Sequence, residues 1–317
     1  MNSTQTPPAL PPKLLDELRA IVGDKHVLTS PGDLFVYSYD AALDRSRPSA
    51  VILPGTPEEV AQVVKSLAKS KKSYVARGAA TGLAGGAVPL QGAAVIALTR
   101  MTSIGRIDPT RREIAVEPGV VNLRLQQTVD PSGFFFAPDP GSQKACTIGG
   151  NIAMNAGGPH CLKYGVTASH VMALEVVLPD GQVAQFRVDD PGYDLAGFFV
   201  GTEGTLGIVT RARLKLLPKP KAVRTMLVSF NSIEEAIQSV TDIIAAGLLP
   251  ATLEAMDRTV VEAVEAFSHA GYPSAEAVLL IEVDGDQADE LDQQTERIKE
   301  LCAKNHSGEF RTAKSEL

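Results

Sequence analysis

The stretch from residue 138 to residue 165 constrains the fold more than any other part of the sequence, because it carries six glycines. Glycine allows positive φ and lets the main chain approach a ligand where a Cβ would collide. The apolar Ile148 and Ile152 and the amide-bearing Asn151 and Asn155 stand between the glycines, a pattern that flexible linkers seldom have. The stretch therefore predicts a binding surface for a flat molecule with polar edges. An irregular surface loop is the alternative.

Two further glycine clusters, at 77–86 and 201–209, lie beside predicted strands. The backbone N–H groups of a glycine-rich turn after a strand form a concave site for an anion such as a pyrophosphate. The sequence has no P-loop, and Gly78 and Gly82 are spaced four apart and lead to a strand, which does not fit the Rossmann GxGxxG. One cluster alone is a weak indication, but three suit the separate parts of a long dinucleotide.

The composition predicts a globular chain of one large domain or two ordinary ones. Of the 317 residues, 44% are apolar and 21% are charged, and the formal net charge of -7 comes without a sustained basic run. Nucleic acid is therefore not expected as a partner. An anionic cofactor would be held by local donors rather than by overall charge.

The cysteines and the first residues predict a protein of a reducing compartment. Cys146, Cys161 and Cys302 form no CxxC pair and are odd in number, so reduced thiols are expected. Residues 1–12 resemble no signal peptide, and no apolar run approaches the length that spans a membrane. A cytoplasmic location is expected, with at most peripheral attachment to the inner membrane.

The first half of the chain predicts an N-terminal helix and arm over 1–46 and then a βαβ unit. Thr56 and Glu59, with Pro57 between them, form a capping box that opens a helix. Asn122 is expected to cap a later helix. Periodicity predicts helices over 14–22, 57–67 and 122–129, strands over 51–53, 74–76 and 93–98, and a hairpin of 104–107 with 113–116.

The second half predicts a hairpin, a boundary and a second domain. Pro179-Asp180-Gly181 is typical of a hairpin turn between strands 173–178 and 183–186. A strand over 211–217 ends at Pro218-Lys219-Pro220, the expected boundary. Beyond it the pattern is typical of a ferredoxin-like split βαβ domain whose final strand has barely begun at residue 317. Its strands are expected at 223–230, 252–256 and 277–283, and its helices at 233–244, 257–270 and 291–301.

Three runs of the sequence resemble a known family: ARGAATGLAGGAVP, PDPGSQKACTIGGNIAMNAGGPHCLKYGV and GTEGTLGIVTRARLKLLPKP. They are similar to the FAD-binding domain of the vanillyl-alcohol oxidase (PCMH-type) superfamily, in the branch of glycolate oxidase flavoprotein subunits and FAD-linked D-lactate dehydrogenases. The resemblance covers residues 30 to 317. It implies an α+β fold, with a two-part PCMH-type FAD-binding domain over 47–219 and an incomplete ferredoxin-like cap domain over 222–317.

The resemblance also implies which positions contact FAD. Members that attach FAD covalently use a histidine in the first loop, where this chain has alanines, so noncovalent FAD is expected. The pyrophosphate would contact Arg77, Gly78, Ala79, Ala80, Thr81, Gly82 and Leu83, and the phosphates and ribityl chain Pro140, Gly141, Ser142, Thr147, Ile148, Gly149, Gly150 and Asn151. The isoalloxazine would lie near Asn155, Ala156, Gly157 and Gly158, and the adenosine end or ring edge near Gly204, Gly207 and Ile208, with Glu203 supporting that turn.

Three charged side chains flank the expected ring site. Lys144 is interpreted as a solvated loop residue. For His160 and Lys163 two interpretations stay open: stabilisation of reduced, anionic flavin, or an ordinary structural role. No Ser-His-Asp order or HExxH metal site occurs, and the Glu58/Glu59 and Glu234/Glu235 pairs are explained as first-turn helix charges.

The function that the resemblance implies is the oxidation of a D-2-hydroxy acid, glycolate or D-lactate, by hydride transfer to flavin N5. Electrons would pass to a partner subunit or carrier. The family's catalytic base and its divalent metal ligands belong to a later part of the cap domain, so neither is assigned in this chain. The chain is either a fragment or a natural short form. The alternatives are an alkyl-transferring synthase on the same fold and a truncated, non-catalytic FAD-binding subunit.

Overall fold

The computed structural model describes residues 9–313, with the side chain of Gln91 left aside. These residues form two compact units, one of 9–157 and 166–217, the other of 158–165 and 218–313. The ends of the predicted N-terminal arm and cap domain, 1–8 and 314–317, lie outside the described residues. No helix within the described part of the chain is long and apolar enough to cross a membrane.

The elements follow one another along both units. The α-helices are α1 (Pro12–Val22), α2 (Pro31–Val36), α3 (Pro57–Lys69), α4 (Asn122–Val129), α5 (Ile148–Met154), α6 (Cys161–Tyr164), α7 (Leu195–Phe199), α8 (Ile233–Ala245), α9 (Arg258–Ser268) and α10 (Ala288–Lys304). The strands are β1 (Val27–Leu28), β2 (Val51–Ile52), β3 (Tyr74–Arg77), β4 (Ala94–Ala97), β5 (Glu113–Val116), β6 (Phe134–Phe135), β7 (Val171–Val177), β8 (Val183–Arg187), β9 (Ile208–Lys215), β10 (Leu217–Pro218), β11 (Ala222–Phe230), β12 (Thr252–Asp257), β13 (Ala277–Gly285) and β14 (Phe310–Thr312). Short 3₁₀ turns occur at Asp24–His26, Leu90–Gly92, Asp130–Ser132 and Thr167–His170.

The predicted βαβ unit of the first unit is present. Strands β2, β4 and β3 pair in parallel, and β1 adds to β2 antiparallel. The Thr56 hydroxyl accepts from the Glu59 N–H at 3.2 Å, as the capping box predicts, while the Glu59 carboxylate accepts from Gly55 N–H at 2.7 Å. One face of α3 is buried in the apolar core with the sheet, and this face consists of Val60, Val63, Val64 and Leu67.

The second sheet of this unit has the order β5-β9-β7-β8 and is antiparallel. Its β7–β8 hairpin turns as predicted, with Gly181 at φ +76°. Strand β9 begins at Ile208, three residues before the predicted start, because the extended chain leaves the third glycine cluster directly at Gly207. The third glycine cluster thus leads directly into strand β9.

One prediction about local structure holds in part and another was wrong. The hairpin over 104–116 forms antiparallel bridges, Ile104 with Val116 and Asp108 with Glu113, but the pairing shifts by one residue between them, so 104–107 is not a regular strand. Asn122 does not cap α4, because Val121 occupies the cap position. Asn122 is instead buried, and its Nδ2 donates to Pro138 O at 3.0 Å, which ties α4 to the glycine-rich stretch.

Helix α5 lies in the stretch that was predicted to be a binding surface and for which no helix was predicted. Gly149, Gly150 and Asn151 have low helix propensity, so no helical pattern is visible there. The Thr147 hydroxyl nevertheless accepts from the Gly150 N–H at 3.3 Å, and Asn155 ends the helix in the left-handed region at φ +47°. Caps at both ends thus hold a short helix inside the stretch.

The second unit is a sheet of order β12-β13-β11-β14, antiparallel throughout, with α8 and α10 packed on one face. This is the strand order that the split βαβ pattern predicts, and β14 supplies its fourth strand by pairing with residues 226–228. Helix α9 is added at the β12–β13 connection, where the pattern by itself needs a turn. It begins one residue later and ends two residues earlier than predicted, with Asp257 as its cap.

Candidate functional site

A cavity of about 330 Å³ lies in the first unit, and all three glycine-rich segments line it. This volume is in the range of small-molecule sites. The predicted contact residues that line it are Arg77, Gly78, Ala79, Ala80, Thr81, Gly82, Leu83, Pro140, Ser142, Thr147, Gly149, Gly150, Asn151, Ala156, Glu203, Gly204, Gly207 and Ile208.

Five predicted contact residues do not line this cavity: Gly141, Ile148, Asn155, Gly157 and Gly158. Ile148 is fully buried in the apolar core. The side chain of Asn155 accepts from the Ala168 N–H at 2.9 Å. Gly158 belongs to the second unit. The segment expected near the ring is thus divided between the two units.

The loop after β3 is held by two buried charged residues. The Arg77 guanidinium donates to Ala87 O at 3.2 Å and stacks over the Tyr37 ring at 5.3 Å, and its burial lowers its pKa. Asp40 accepts from Gly85 N–H at 3.0 Å through Oδ2. Ala41 N–H donates to Gly82 O at 3.1 Å. The N-terminal arm therefore fixes the shape of this loop.

Asp40 was not predicted as a site residue, because it stands 45 residues from its partner Gly85 and no motif contains it. The other lining residues that sequence reasoning missed are mostly small or apolar, and their side chains carry no chemical signature. They are Ala76, Ala84, Gly86, Ala87, Leu98, Pro118, Cys146, Ala153, Met154, Phe199, Thr202 and Val209.

Two non-glycine residues of the cavity lining have a left-handed backbone conformation. Ala80 and Glu203 line the cavity with φ of +54° and +55°, a region that costs a non-glycine residue about 1–2 kcal/mol. Asn155, beside the third segment, has φ +47°. Such residues persist where the surrounding structure enforces them, often at functional sites.

Close main-chain packing explains several of the glycines. A Cβ on Gly78 would overlap Thr147 Oγ1, and a Cβ on Gly149 would lie 2.6 Å from the Pro118 ring. A Cβ on Gly82 would meet no protein atom within 4 Å. Gly78 and Gly149 are therefore required by the fold, whereas Gly82 leaves open space beside the cavity.

Asn151 supplies the cavity with a side-chain donor. The residue is 2% exposed, and within residues 9–313 its Nδ2 has no hydrogen-bond partner apart from the weak contact of the neighbouring Cys146 thiol. A buried amide donor without an oxygen acceptor costs about 1–3 kcal/mol. A ligand acceptor at this point would remove that cost.

Few charges line the cavity, and the described residues hold no cluster of His, Cys, Asp or Glu suited to a metal ion. The described lining holds Asp40, Arg77 and Glu203, and the carboxylate of Asp40 and the guanidinium of Arg77 are engaged with the main chain. Burial raises the pKa of the Cys146 thiol, which keeps it protonated. The cavity is therefore suited to a ligand held by backbone and amide donors.

The charged residues predicted to flank the ring site do not line this cavity. Lys144 is exposed. His160 and Lys163 contact strand β13: His160 Nε2 is 3.0 Å from Glu282 Oε1, and Lys163 forms an ion pair with Asp284. The Tyr164 hydroxyl donates to the same Asp284 at 2.5 Å, and burial and this bond raise its pKa. These contacts favour the structural interpretation of His160 and Lys163.

Two family models match the chain. Residues 48–187 match the FAD binding domain, and residues 219–317 match the C-terminal domain of FAD linked oxidases. The first match contains two of the three glycine-rich segments, and the second covers the sheet of the second unit.

Curated proteins and a solved structure are similar over nearly the whole chain. The glycolate oxidase subunit GlcD of Escherichia coli K12 is 42% identical over 308 residues, 96% of this chain and 62% of that protein. A D-lactate dehydrogenase of Anaerostipes hadrus is 34% identical, over 89% of this chain and 61% of that protein. A structure of alkyldihydroxyacetonephosphate synthase has a TM-score of 0.85 at 20% identity, covering 97% of this chain and 62% of that one. The chain thus spans less than two thirds of the length of these relatives.

Proposed function

Since the chain belongs to the FAD-linked oxidase family, we propose that its cavity holds FAD and that the protein serves in the oxidation of a small D-2-hydroxy acid, glycolate or D-lactate. One observation carries the proposal: the main chains of three separate glycine-rich segments meet at one cavity, with the unused donor of Asn151 beside them. A dinucleotide needs this kind of extended contact with backbone and amide donors.

The lining residues fit FAD in the following way. Main-chain donors of 78–83 would hold the anionic part, because the lining has no free lysine or arginine among the described residues. Asn151 Nδ2 would donate to an acceptor of the cofactor. When bound, FAD would take up a hydride from the carbon that carries the substrate hydroxyl. The walls of the cavity would keep water from its apolar side, formed by Leu98, Phe199 and Ile208.

Noncovalent attachment is part of the proposal. None of the lining residues within 9–313 is a histidine or a tyrosine, and the positions in the first loop are Ala79 and Ala80. Cys146 is the lining thiol, and burial raises its pKa. A protonated, buried thiol is a poor nucleophile, which supports a cofactor that denaturation releases.

The electron acceptor is proposed to be a protein subunit or carrier, since the similar protein of E. coli is named a subunit of glycolate oxidase. A second candidate function has support from one observation. The lining carries few titratable groups: Asp40 and Arg77 are engaged in holding the loop, and Glu203 lies in the main-chain turn of the third glycine cluster. The described residues would then bind FAD without turning over substrate by themselves.

An anaerobic absorption spectrum of the purified, FAD-reconstituted chain tests both parts. A bound flavin spectrum that acid precipitation releases supports noncovalent FAD, whereas a folded chain that fails to bind FAD refutes the proposal. Addition of glycolate or D-lactate then distinguishes the candidates. Bleaching of the flavin band supports hydroxy-acid oxidation by these 317 residues, and a persistently oxidised flavin supports the cofactor-binding candidate.

A further inference from the structure

Helix α9 of the second unit carries an apolar stripe on its solvent side. Val260, Ala263, Val264 and Phe267 recur at the spacing i, i+3, i+4, i+7, which places them on one face of the helix. Val260 is 45% exposed and Phe267 is 91% exposed. Single exposed apolar side chains are common on protein surfaces, whereas a contiguous row of them marks an interaction site.

Most of the stripe does not serve the fold of its own unit, since Val260, Ala263 and Phe267 are exposed and Val264 is half-buried. Val261, on another side of α9, is the buried residue among the described side chains of this helix. The core of the second unit is formed by α8, α10 and the sheet. Helix α9 is inserted at the β12–β13 connection, and its ends are fixed by local bonds: Asp257 caps its first turn at 2.8 Å, and Glu265 accepts from Tyr272 N–H at 2.7 Å. The stripe is therefore presented to the outside on a fixed helix.

The part of the sequence that contains α9 is strongly acidic, and the helix with its cap carries Asp257, Glu262 and Glu265 against Arg258. Between residues 225 and 296 the sequence has fifteen aspartates and glutamates and one basic side chain, Arg258. Arg258 forms an ion pair with Glu276. Arg311, whose guanidinium reaches Gly271 O at 2.6 Å beside the same loop, is paired with Glu309. Residues 225–296 are more negative than the net charge of -7 of the whole chain, so the remaining residues together are net basic. The negative charge is thus concentrated in the part of the sequence that contains α9.

The negative charge near α9 distinguishes between the kinds of molecule that could bind the stripe. Helices that lie on membranes carry lysine and arginine beside their apolar face and bind anionic lipids, which an acidic surface repels. Nucleic acid is excluded by the same repulsion. A second copy would bring acidic surface against acidic surface, which costs free energy at a symmetric interface. A different protein with a basic rim is complementary in charge.

We propose that α9 docks its Val260–Ala263–Val264–Phe267 stripe into an apolar groove of a different protein whose rim carries lysine and arginine. Recognition of an amphipathic helix through anchors at i, i+3, i+4 and i+7 is a common mode of protein association. Phe267 is the largest anchor and fills the deepest part of the groove, and acidic residues such as Glu262 meet the basic rim.

Photocrosslinking in cells of the source organism tests the proposal on the full chain. p-Benzoylphenylalanine is placed at position 267, and in a second variant at position 193, where Tyr193 of the first unit is equally exposed at 91%. The expected result is an adduct with one protein other than the chain itself, formed from position 267 and absent from position 193. An adduct with a second copy, or none from a folded chain, overturns the proposal.

The protein recovered in the adduct is then purified and titrated with the unlabelled chain. Phe267→Asp is expected to weaken binding on the order of 30-fold or more, as for an interface anchor, and Tyr193→Asp to leave it unchanged. Raising salt from about 50 mM to about 500 mM is expected to weaken binding about tenfold, and Glu262→Lys to weaken it at low salt. Equal binding by Phe267→Asp overturns the proposal. So does sedimentation of the chain with phosphatidylglycerol vesicles that Phe267→Asp abolishes.

Discussion

At the scale of single residues, the Asn151 amide should cost free energy in the empty cavity and should donate a hydrogen bond when the cavity is filled. Its amide nitrogen is buried without an oxygen acceptor in the part of the chain that the structure describes. The cost of that donor, about 1–3 kcal/mol, would be removed when a cofactor accepts its hydrogen bond.

Asn151→Leu should therefore act in opposite directions on stability and on binding. The change replaces an unpaired amide by an apolar group of similar size, so the apo-protein should melt at the same or a higher temperature. The dissociation constant for FAD should rise about tenfold, measured by quenching of flavin fluorescence. Unchanged affinity would show that the amide does not contact the cofactor.

Gly78 and Gly82 should tolerate substitution differently, although they lie in one loop. Gly78→Ala places a Cβ onto Thr147 Oγ1 and should lower the melting temperature of the apo-protein. Gly82→Val meets no protein atom near its Cβ and should leave the apo-protein folded while removing FAD retention. Thermal melts and flavin content of both variants provide the comparison. Full flavin content in Gly82→Val would refute the pyrophosphate assignment of this loop.

The three cysteines should react with iodoacetamide at very different rates. Cys161 is half-buried, whereas Cys146 is 4% and Cys302 is 0% exposed. Burial raises the pKa of Cys302 from 9.0 to about 11, so its neutral thiol stabilises the fold below pH 9 and that contribution is lost as the pH rises to about 11. Peptide mass spectrometry at pH 8 should show Cys161 modified first. Equal labelling of Cys302 in the folded protein would contradict this order.

At the scale of elements, segment 158–165 is held to strand β13 by polar contacts. Lys163 and Tyr164 both contact the Asp284 carboxylate, whose side chain is 4% exposed. A buried carboxylate with a cation and a hydroxyl is a paired group, and removal of one partner leaves the others uncompensated.

Asp284→Ala should therefore destabilise the protein by about 3 kcal/mol, because the Tyr164 hydroxyl loses its acceptor and the Lys163 ammonium loses its counter-charge and keeps only the main-chain O of residue 284. Asp284→Asn keeps an acceptor for one of them and should recover part of the loss. Chemical denaturation of the two variants and of the exposed control Asp292→Ala gives the measurement. Equal stability of Asp284→Ala and the parent chain would show that the contacts carry no net free energy.

Whether a feature of these elements could be predicted depends on how close in sequence the residues lie whose contacts stabilise it. The cap at Thr56 and the turn at Gly181 lie within four residues of their partners, and both were predicted and confirmed. Helix α5 was missed because caps at its two ends, rather than helix-forming residues, hold it. The three glycine clusters identified most of the cavity lining. Asp40 was missed because its role depends on a contact across 45 residues.

At the scale of the whole molecule, the lining of the cavity comes from the first unit. Binding of FAD should therefore stabilise that unit directly, by about 2.7 kcal/mol at a free concentration 100 times the dissociation constant. Hydrogen exchange should slow at 78–86 and 201–207 and stay unchanged in β11 and β13. Equal slowing in the sheet of the second unit would contradict a cavity that acts on the first unit alone.

The membership of segment 158–165 in the second unit has a consequence for how this protein could be recombined. A single junction near residue 217 would transfer the whole sheet β11–β14 but leave Lys163 and Tyr164 behind. The buried carboxylate of Asp284 would then meet whatever loop the recipient supplies. Successful chimeras between relatives should need two crossovers that carry the eight-residue segment with the sheet, so the two stretches are inherited as one module although more than 50 residues separate them.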